Sequence, residues 1–351
     1  MELAALINQY HDGFIDKYGD TALPGHLRAL GAIQRCRTPK SGELYIQCPD
    51  CDHAEWRPLS CGNRNCPKCQ NHQSSLWIDR QQEKLLPVPY FMATFTLPFE
   101  LRQLTWLNQK EVYSLLFKCV ASTLKDFGLN PKNLGAELGL TTVLHTNNRK
   151  LDYHPHVHAI IPGGGVDRRR HLWRRGKEKF LFNVFALAKV FRARILQQIK
   201  DVGLIIPDDV PKKWVVDCRL VGSGITALKY LSRYLYRGVI SEKNIISNQK
   251  GKVTFKYVES NSGETRFRTL EGGDFLHLIL QHVLPKGFRR VRDYGFLHSN
   301  AKKIRTLIQL ILHVIIQQLL PRSRPVFLCP CCKSPMMIVN FRRNVSLSRP
   351  G

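Results

Sequence analysis

The segment Tyr153-His-Pro-His-Val-His-Ala-Ile-Ile-Pro-Gly-Gly-Gly165 constrains this chain more than any other. Histidines two apart inside an apolar run are how a β-strand presents imidazoles on one face, because successive side chains alternate sides. His154, His156 and His158 would share that face, with Val157 and Ala159 on the other. Neutral imidazole is a common metal ligand, so the row forms a partial coordination set. Pro155 delays regular strand pairing until after it, which favours His156 and His158 as the ligand pair. A lone histidine is ordinarily structural, and three in register beside a hairpin weaken that reading. A third protein ligand is required, and a polar residue on or near the tyrosine-bearing helix described next is the expectation.

That helix is Lys229-Tyr-Leu-Ser-Arg-Tyr-Leu-Tyr-Arg237 and the residues before it. Leu228, Leu231 and Leu235 make an apolar stripe at helical spacing. Tyr230 and Tyr234 stand one turn apart, away from the stripe. Lys229, Arg233 and Arg237 recur every four residues on the flank nearest Tyr230. Two hydroxyls beside a row of cations suit a phosphodiester, and these three cations are candidate DNA contacts. Tyr236 falls on the opposite flank of the leucines and reads as a packing or gate residue. Simple amphipathic packing is the plainer account of the tyrosines.

The charge narrows the partner. Lys+Arg 53 against Asp+Glu 27 gives a formal net charge of +26, spread over 351 residues. Such a surplus implies an anionic partner, and nucleic acid is the usual one. The N-terminus carries no signal peptide and no window is long enough for a membrane span, which points to the cytoplasm and excludes a membrane partner. In that reducing compartment the eleven cysteines favour metal binding over disulfides.

Cys48-Pro-Asp-Cys51 and Cys66-Pro-Lys-Cys69 are two knuckles fourteen residues apart, and together they predict one closed four-sulfur zinc site. Cys36 and Cys61, with His53 and His72 nearby, are candidates for a second ion. Cys119 and Cys218 read as core residues. Cys329-Pro-Cys-Cys332 resembles half of a zinc ribbon whose completion would need distant ligands. Arg57, Arg64, Lys68 and Arg80 around the knuckles favour a DNA-contacting module over a purely structural knob.

Between these features the chain alternates helical and strand-like stretches. Tyr90 to Leu97 predicts a strand, and Phe99 to Phe127 a helical stretch. Leu140 to His145 and His154 to Ile161 predict a hairpin about Asn147-Asn148-Arg149. Phe180 to Val202 is helical, Trp214 to Val221 a strand, and Lys252 to Val258 with Thr265 to Leu270 a second hairpin. Thr306 to Leu320 predicts an amphipathic or buried helix. Antiparallel hairpins mixed with helices define an α+β class. Boundaries fall at 1–86 (zinc module), 87–298 (catalytic region) and 299–351 (helix and Cys-bearing tail).

These motifs resemble the two-tyrosine HUH transposases of the insertion sequence 91 type. The resemblance rests on His156-Val-His158, on Tyr230-x-x-x-Tyr234, and on the cysteine pattern from Cys36 to Cys69. His282-Val-Leu-Pro-Lys-Gly-Phe-Arg289 and Asp293-Tyr-Gly-Phe296 are also similar to that family's later segments. The resemblance implies a central antiparallel sheet flanked by helices behind a small zinc-binding domain. It also implies rolling-circle-type transposition through single-stranded DNA at the element ends. His156 and His158 would hold a catalytic Mg²⁺ or Mn²⁺, Tyr230 and Tyr234 would be nucleophiles, and Zn²⁺ would be structural. A replication initiator or relaxase would share the catalytic motifs but not the zinc module. A non-catalytic zinc regulator would need neither tyrosine.

Overall fold

The structure is a computed structural model that describes residues 1–69, 71–235, 238–259, 262–316 and 326–343. In chain order its elements begin with α1 (Leu3–Tyr18), α2 (Pro24–Gln34), β1 (Glu43–Gln47), β2 (Ala54–Pro58) and α3 (Asn71–Gln82). There follow β3 (Tyr90–Thr96), α4 (Arg102–Leu107), α5 (Gln109–Leu129), β4 (Gly139–Asn147), β5 (Tyr153–Pro162), β6 (Gly164–Asp167) and β7 (Leu172–Arg175). Then come α6 (Val184–Asp201), β8 (Val216–Gly222), α7 (Gly224–Leu235), β9 (Ile245–Gln249), β10 (Lys252–Val258) and β11 (Thr265–Glu271). The last are α8 (Gly272–Leu280), β12 (Val291–Gly295), α9 (Lys302–Leu312) and β13 (Met337–Arg342).

The contacts divide the chain into two compact units that do not follow the boundaries expected from composition. One unit joins Met1–Gln73, Tyr236–Val283 and Leu320–Gly351, and the other joins Ser74–Leu235 and Leu284–Leu319. The cause is that short N-terminal elements cannot bury their own apolar faces. The stripe of α1 (Leu3, Leu6, Ile7, Phe14) is buried, and α1 packs on α8, which comes from the middle of the chain. There Tyr18 stacks on His277 at 4.0 Å, and Lys17 pairs with Asp274 at 2.6 Å. Gly272 opens α8 because a Cβ there would lie 2.2 Å from the ring of Tyr10. The expected hairpin β10–β11 forms, joined by β9, and belongs to this unit rather than to the catalytic region. A separate sheet has the order β13-β1-β2, so the C-terminal strand lies beside the first.

The second unit is built on a five-stranded sheet of order β12-β4-β5-β3-β8, antiparallel throughout. Its central strands are buried on both faces, and the alternation of side chains sorts them. Phe91, Ala93 and Phe95 of β3, Leu140 and Leu144 of β4, and Val157, Ala159 and Ile161 of β5 join one core with α5 and α6. The α6 stripe of Leu187, Phe191, Ile195 and Ile199 repeats every four residues, and Asn183 caps it by accepting the Ala186 N–H at 3.0 Å. The stretch read as helical from Phe99 is interrupted at Asn108, which separates α4 from α5. α7 contacts β3, β4, β5 and β8. The helix expected over Thr306 to Leu320 is α9, which closes at His313 in the left-handed conformation (φ 53°). Residues 313–316 of the expected stretch are not helical, and 317–320 lie outside the described residues. Among the described residues no helix is long and apolar enough to cross a membrane.

Candidate active site and cysteine clusters

The hairpin β4–β5 sets the site. Its connection is tied by Asn148, whose side chain accepts the Asp152 N–H at 3.0 Å and donates to its carboxylate at 3.0 Å. Counting outwards, His145 pairs with His156 and Val143 with His158, with a bulge between His145 and Asn147. On the other side of β5, Thr94 of β3 lies opposite His158. Because β5 alternates, the histidines occupy the face away from the α5–α6 core. His145, His156 and His158 are all buried, and their ligand atoms lie within 4.8 Å of one another. The ring centroids of His145 and His158 are 4.4 Å apart, and those of His156 and His158 are 4.8 Å apart.

The third member of this cluster was expected on or near the tyrosine-bearing helix. The structure instead supplies His145 from the neighbouring strand. Hairpin pairing is the reason, since it sets a residue of β4 directly beside each of the two β5 histidines. His154 stands outside the cluster, and its Nδ1 accepts from Arg102 Nη2 at 2.7 Å.

The outer hydrogen bonds choose the ligand atoms. His156 Nδ1 lies 2.6 Å from the His154 carbonyl oxygen and can only donate to it, which leaves Nε2 with its lone pair. His158 Nδ1 engages the Thr94 hydroxyl at 2.9 Å, and when it donates there Nε2 keeps its lone pair. Burial pushes His156 down to about 4 and holds His145 and His158 well below the usual imidazole range. All three are therefore neutral at physiological pH, which is the state a metal needs. The donor set fits a divalent ion with open positions for phosphate oxygens.

Tyr230 of α7 reaches this cluster, its ring edge-on to His158 with centroids 6.2 Å apart. It is partly exposed, as is Lys229, while Leu228 and Leu231 are buried as the apolar stripe requires. Gly224 lets the helix start close to the sheet, for a Cβ there would lie 3.0 Å from the ring of Tyr90 on β3. The backbones of Arg233 and Tyr234 belong to α7, but their side chains lie outside what is described, and Tyr236 and Arg237 lie outside the described residues. In the same unit, Lys110, Lys286, Arg289, Arg292 and His298 line a cleft of about 860 Å³. Arg292 lies over the rings of Phe117 and Phe288, at 4.4 and 5.4 Å.

The cysteines group differently from the expected single site of Cys48, Cys51, Cys66 and Cys69. Cys66 and Cys69 join Cys36 and Cys61, while Cys48 and Cys51 join Cys329 and Cys332. The knuckles separate because β1 and β2 carry Cys48 and Cys51 towards β13, beside the C-terminal knuckle. In the first cluster the sulfurs of Cys36 and Cys69 are 3.5 Å apart, and those of Cys61 and Cys69 and of Cys66 and Cys36 are 3.6 Å apart. Tetrahedral zinc with bonds of about 2.3 Å sets sulfurs roughly 3.8 Å apart, so this geometry fits it. Neither His53 nor His72 enters a cluster among the described residues. Arg57 pairs with Glu55 and Lys68 with Glu2, so two of the cations near the knuckles are partly neutralised. Burial of Cys119 pushes its thiol up to about 11, as befits a core residue, and Cys218 is half-buried.

An antiparallel sheet that carries three buried histidines beneath a helical tyrosine defines a class, the HUH-type DNA-processing proteins. Comparison with known proteins names the family. A family described as "Putative transposase" matches residues 139–304, and one described as "Transposase zinc-binding domain" matches residues 6–97. The chain is 30% identical over 325 residues to "Putative transposase y4qJ" of Sinorhizobium fredii (strain NBRC 101917 / NGR234), covering 86% of this chain and 81% of that protein. It is 27% identical over 288 residues to "Transposase for insertion sequence element IS801" of Pseudomonas savastanoi pv. phaseolicola, covering 75% and 68%. A slight likeness to the relaxase TrwC complexed with a 27-mer DNA (TM-score 0.28, 16% identity, 64% of this chain and 75% of that one) carries no argument. The chain belongs to the two-tyrosine transposases of the insertion sequence 91 type, with their N-terminal zinc-binding domain. Transposition of DNA is that family's function, and zinc is a cofactor of the N-terminal module.

Proposed function

We propose that this protein cuts and rejoins single-stranded DNA at the ends of its element through a 5′-phosphotyrosine intermediate. The observation that carries the reading is the Tyr230 ring at the edge of a buried, neutral three-histidine cluster. His145, His156 and His158 would hold the catalytic ion, Mg²⁺ or Mn²⁺, His156 through the Nε2 that its hydrogen bond to the His154 carbonyl leaves free. A divalent ion held by these residues would supply Lewis-acid polarisation of the scissile phosphate.

The residues of the chain do the rest. Tyr230 and Tyr234 are the nucleophiles. A phenol of pKa near 10 attacks only when its proton is lost as the bond to phosphorus forms. The tyrosine oxygen bonds to phosphorus, the bond to the 3′ oxygen breaks, and that oxygen takes up a proton as a free 3′-hydroxyl. The ester keeps the bond energy, so a later 3′-hydroxyl can reverse the step without ATP. Lys229, Arg233 and Arg237 would bind phosphates beside the tyrosines, and Arg289 and Lys286 of the basic cleft would hold the strand further along. Cys36, Cys61, Cys66 and Cys69 would bind the structural zinc of the N-terminal module, which a segment this small needs to fold. Nucleoid association in the bacterial cytoplasm follows from a DNA substrate and a net charge of +26.

The test is a denaturing-gel assay with labelled single-stranded DNA from the element ends, with Mn²⁺, Mg²⁺ or EDTA. A metal-dependent covalent adduct that disappears in the Tyr230→Phe, Tyr234→Phe double variant supports the reading. Tight binding with no adduct under either metal overturns it in favour of a non-catalytic zinc DNA-binding protein.

A further inference from the structure

We propose that Cys48, Cys51, Cys329 and Cys332 form a second four-thiolate zinc site, which clasps the C-terminal segment onto the N-terminal module. The segment matched to the zinc-binding domain ends at residue 97, so it contains Cys48 and Cys51 but neither C-terminal ligand.

The strand register makes the juxtaposition. β1 and β13 pair antiparallel from Glu43 opposite Arg342 to Gln47 opposite Met337. Cys48 directly follows the end of β1, and the C-terminal knuckle closes just before β13 begins. Both knuckles are Cys-Pro-X-Cys turns held by their own backbones. The Cys48 N–H donates to the His53 carbonyl at 2.9 Å, and the Cys329 N–H to that of Ser334 at 2.9 Å. The Lys333 N–H returns to the Cys329 carbonyl at 3.0 Å, with Lys333 in the left-handed conformation (φ 65°). Across the two turns the sulfurs of Cys48 and Cys332 are 3.4 Å apart, those of Cys51 and Cys329 3.6 Å, and those of Cys51 and Cys332 3.8 Å. These are the separations of thiolates around one tetrahedral ion, and they are far too long for a disulfide of about 2.05 Å.

Burial says why an ion is needed. Every residue of β13 is exposed, so the strand gains little from the hydrophobic effect by docking. What lies beneath is a small patch of Ile46, Met336, Cys48 and Cys329. An ion pair between Arg342 and Glu43 and the Arg342 guanidinium over Trp56 at 4.3 Å add only local contacts. A strand with no buried side chains, brought back from the far end of the chain, is a segment whose placement metal ligation would account for. Cys331 is exposed and enters no such group among the described residues, so it is an internal control.

Zinc content per chain, measured by elemental mass spectrometry, tests this in full-length protein carrying His156→Ala and His158→Ala, which removes any ion at the histidines. The parent and its Cys331→Ser derivative should carry two zinc ions. Cys329→Ser with Cys332→Ser should carry one, as should Cys66→Ser with Cys69→Ser, and Cys332→His alone should keep two. A C-terminal double variant that keeps both ions overturns the proposal. Should that variant fail to fold, thiol alkylation of the unaltered protein decides. Cys329 and Cys332 should resist modification together with Cys48 and Cys51 until a chelator removes zinc, while Cys331 reacts at once. Alkylation of Cys329 and Cys332 at the rate of Cys331 in zinc-loaded protein, or a disulfide among the four, overturns it.

Discussion

The ring of Tyr230 meets that of His158 edge-on, with planes at 89° and centroids 6.2 Å apart. That contact is made by the ring. Tyr230→Phe therefore keeps the packing and should leave metal affinity unchanged. Covalent adduct formation at the first cleavage should fall on the order of a thousandfold, the scale set by removing a nucleophile from a working site. Calorimetric Mn²⁺ titration alongside the gel assay checks both halves. A parallel loss of metal binding would mean that the tyrosine supports the cluster rather than the reaction.

His145 and Thr94 should separate by degree. Loss of an outer-shell hydrogen bond to a metal ligand typically costs about 10- to 100-fold in affinity or activity. Thr94→Val removes the bond to His158 Nδ1 and should fall in that range. His145→Ala removes a proposed ligand itself and should cost more than about 100-fold in Mn²⁺ affinity. Equal effects in the two variants would place His145 outside the coordination set.

Asp293 fastens the edge strand β12. Its carboxylate accepts from Lys84 at 2.7 Å, Gln81 at 3.1 Å and Thr141 at 2.8 Å, and both Asp293 and Lys84 are largely buried. Asp293→Ala strands a lysine charge and two polar groups, and should lower unfolding stability by about 3 kcal/mol. Chemical denaturation of the metal-free protein measures it. A loss below about 0.5 kcal/mol would show that water replaces the carboxylate.

The pH dependence of stability has a definite sign at His26. This side chain is buried, its Nδ1 accepts the Leu23 N–H at 3.3 Å, and burial pushes it down to about 4. The unfolded chain takes up this proton first, near 6.5. Stability is therefore unaffected above pH 6.5, falls as pH drops from 6.5 to about 4, and levels below that. The loss is at most about 3 kcal/mol. Urea midpoints of wild type and His26→Gln between pH 7 and 4 should converge as pH falls. Curves that stay parallel would show that His26 titrates normally.

Much of the site was legible because β-structure writes itself in alternation. His156 and His158 stood out by two-residue spacing, and the hairpin signals around them placed β4 alongside. His145 was missed because it ends an apolar run with no spaced partner of its own. Its signal was the hairpin register, which counts it opposite His156 only once the turn and the bulge after it are known. The partition of cysteines had no local signal. Cys51 and Cys329 are 278 residues apart, and no spacing rule reaches across such a separation. The same long return of the chain is why unit boundaries read from composition differ from those of the contacts.

The pairing of β1 with β13 also imposes a timetable. Glu43 leaves the ribosome long before its strand partner Arg342 is translated. That sheet thus waits with one edge open until β13 has been made. An element copy cut short by a late frameshift would still encode every histidine and tyrosine of the catalytic unit. Its product would never close that sheet, so the loss of the codons for β13 would be felt 299 residues away at Glu43.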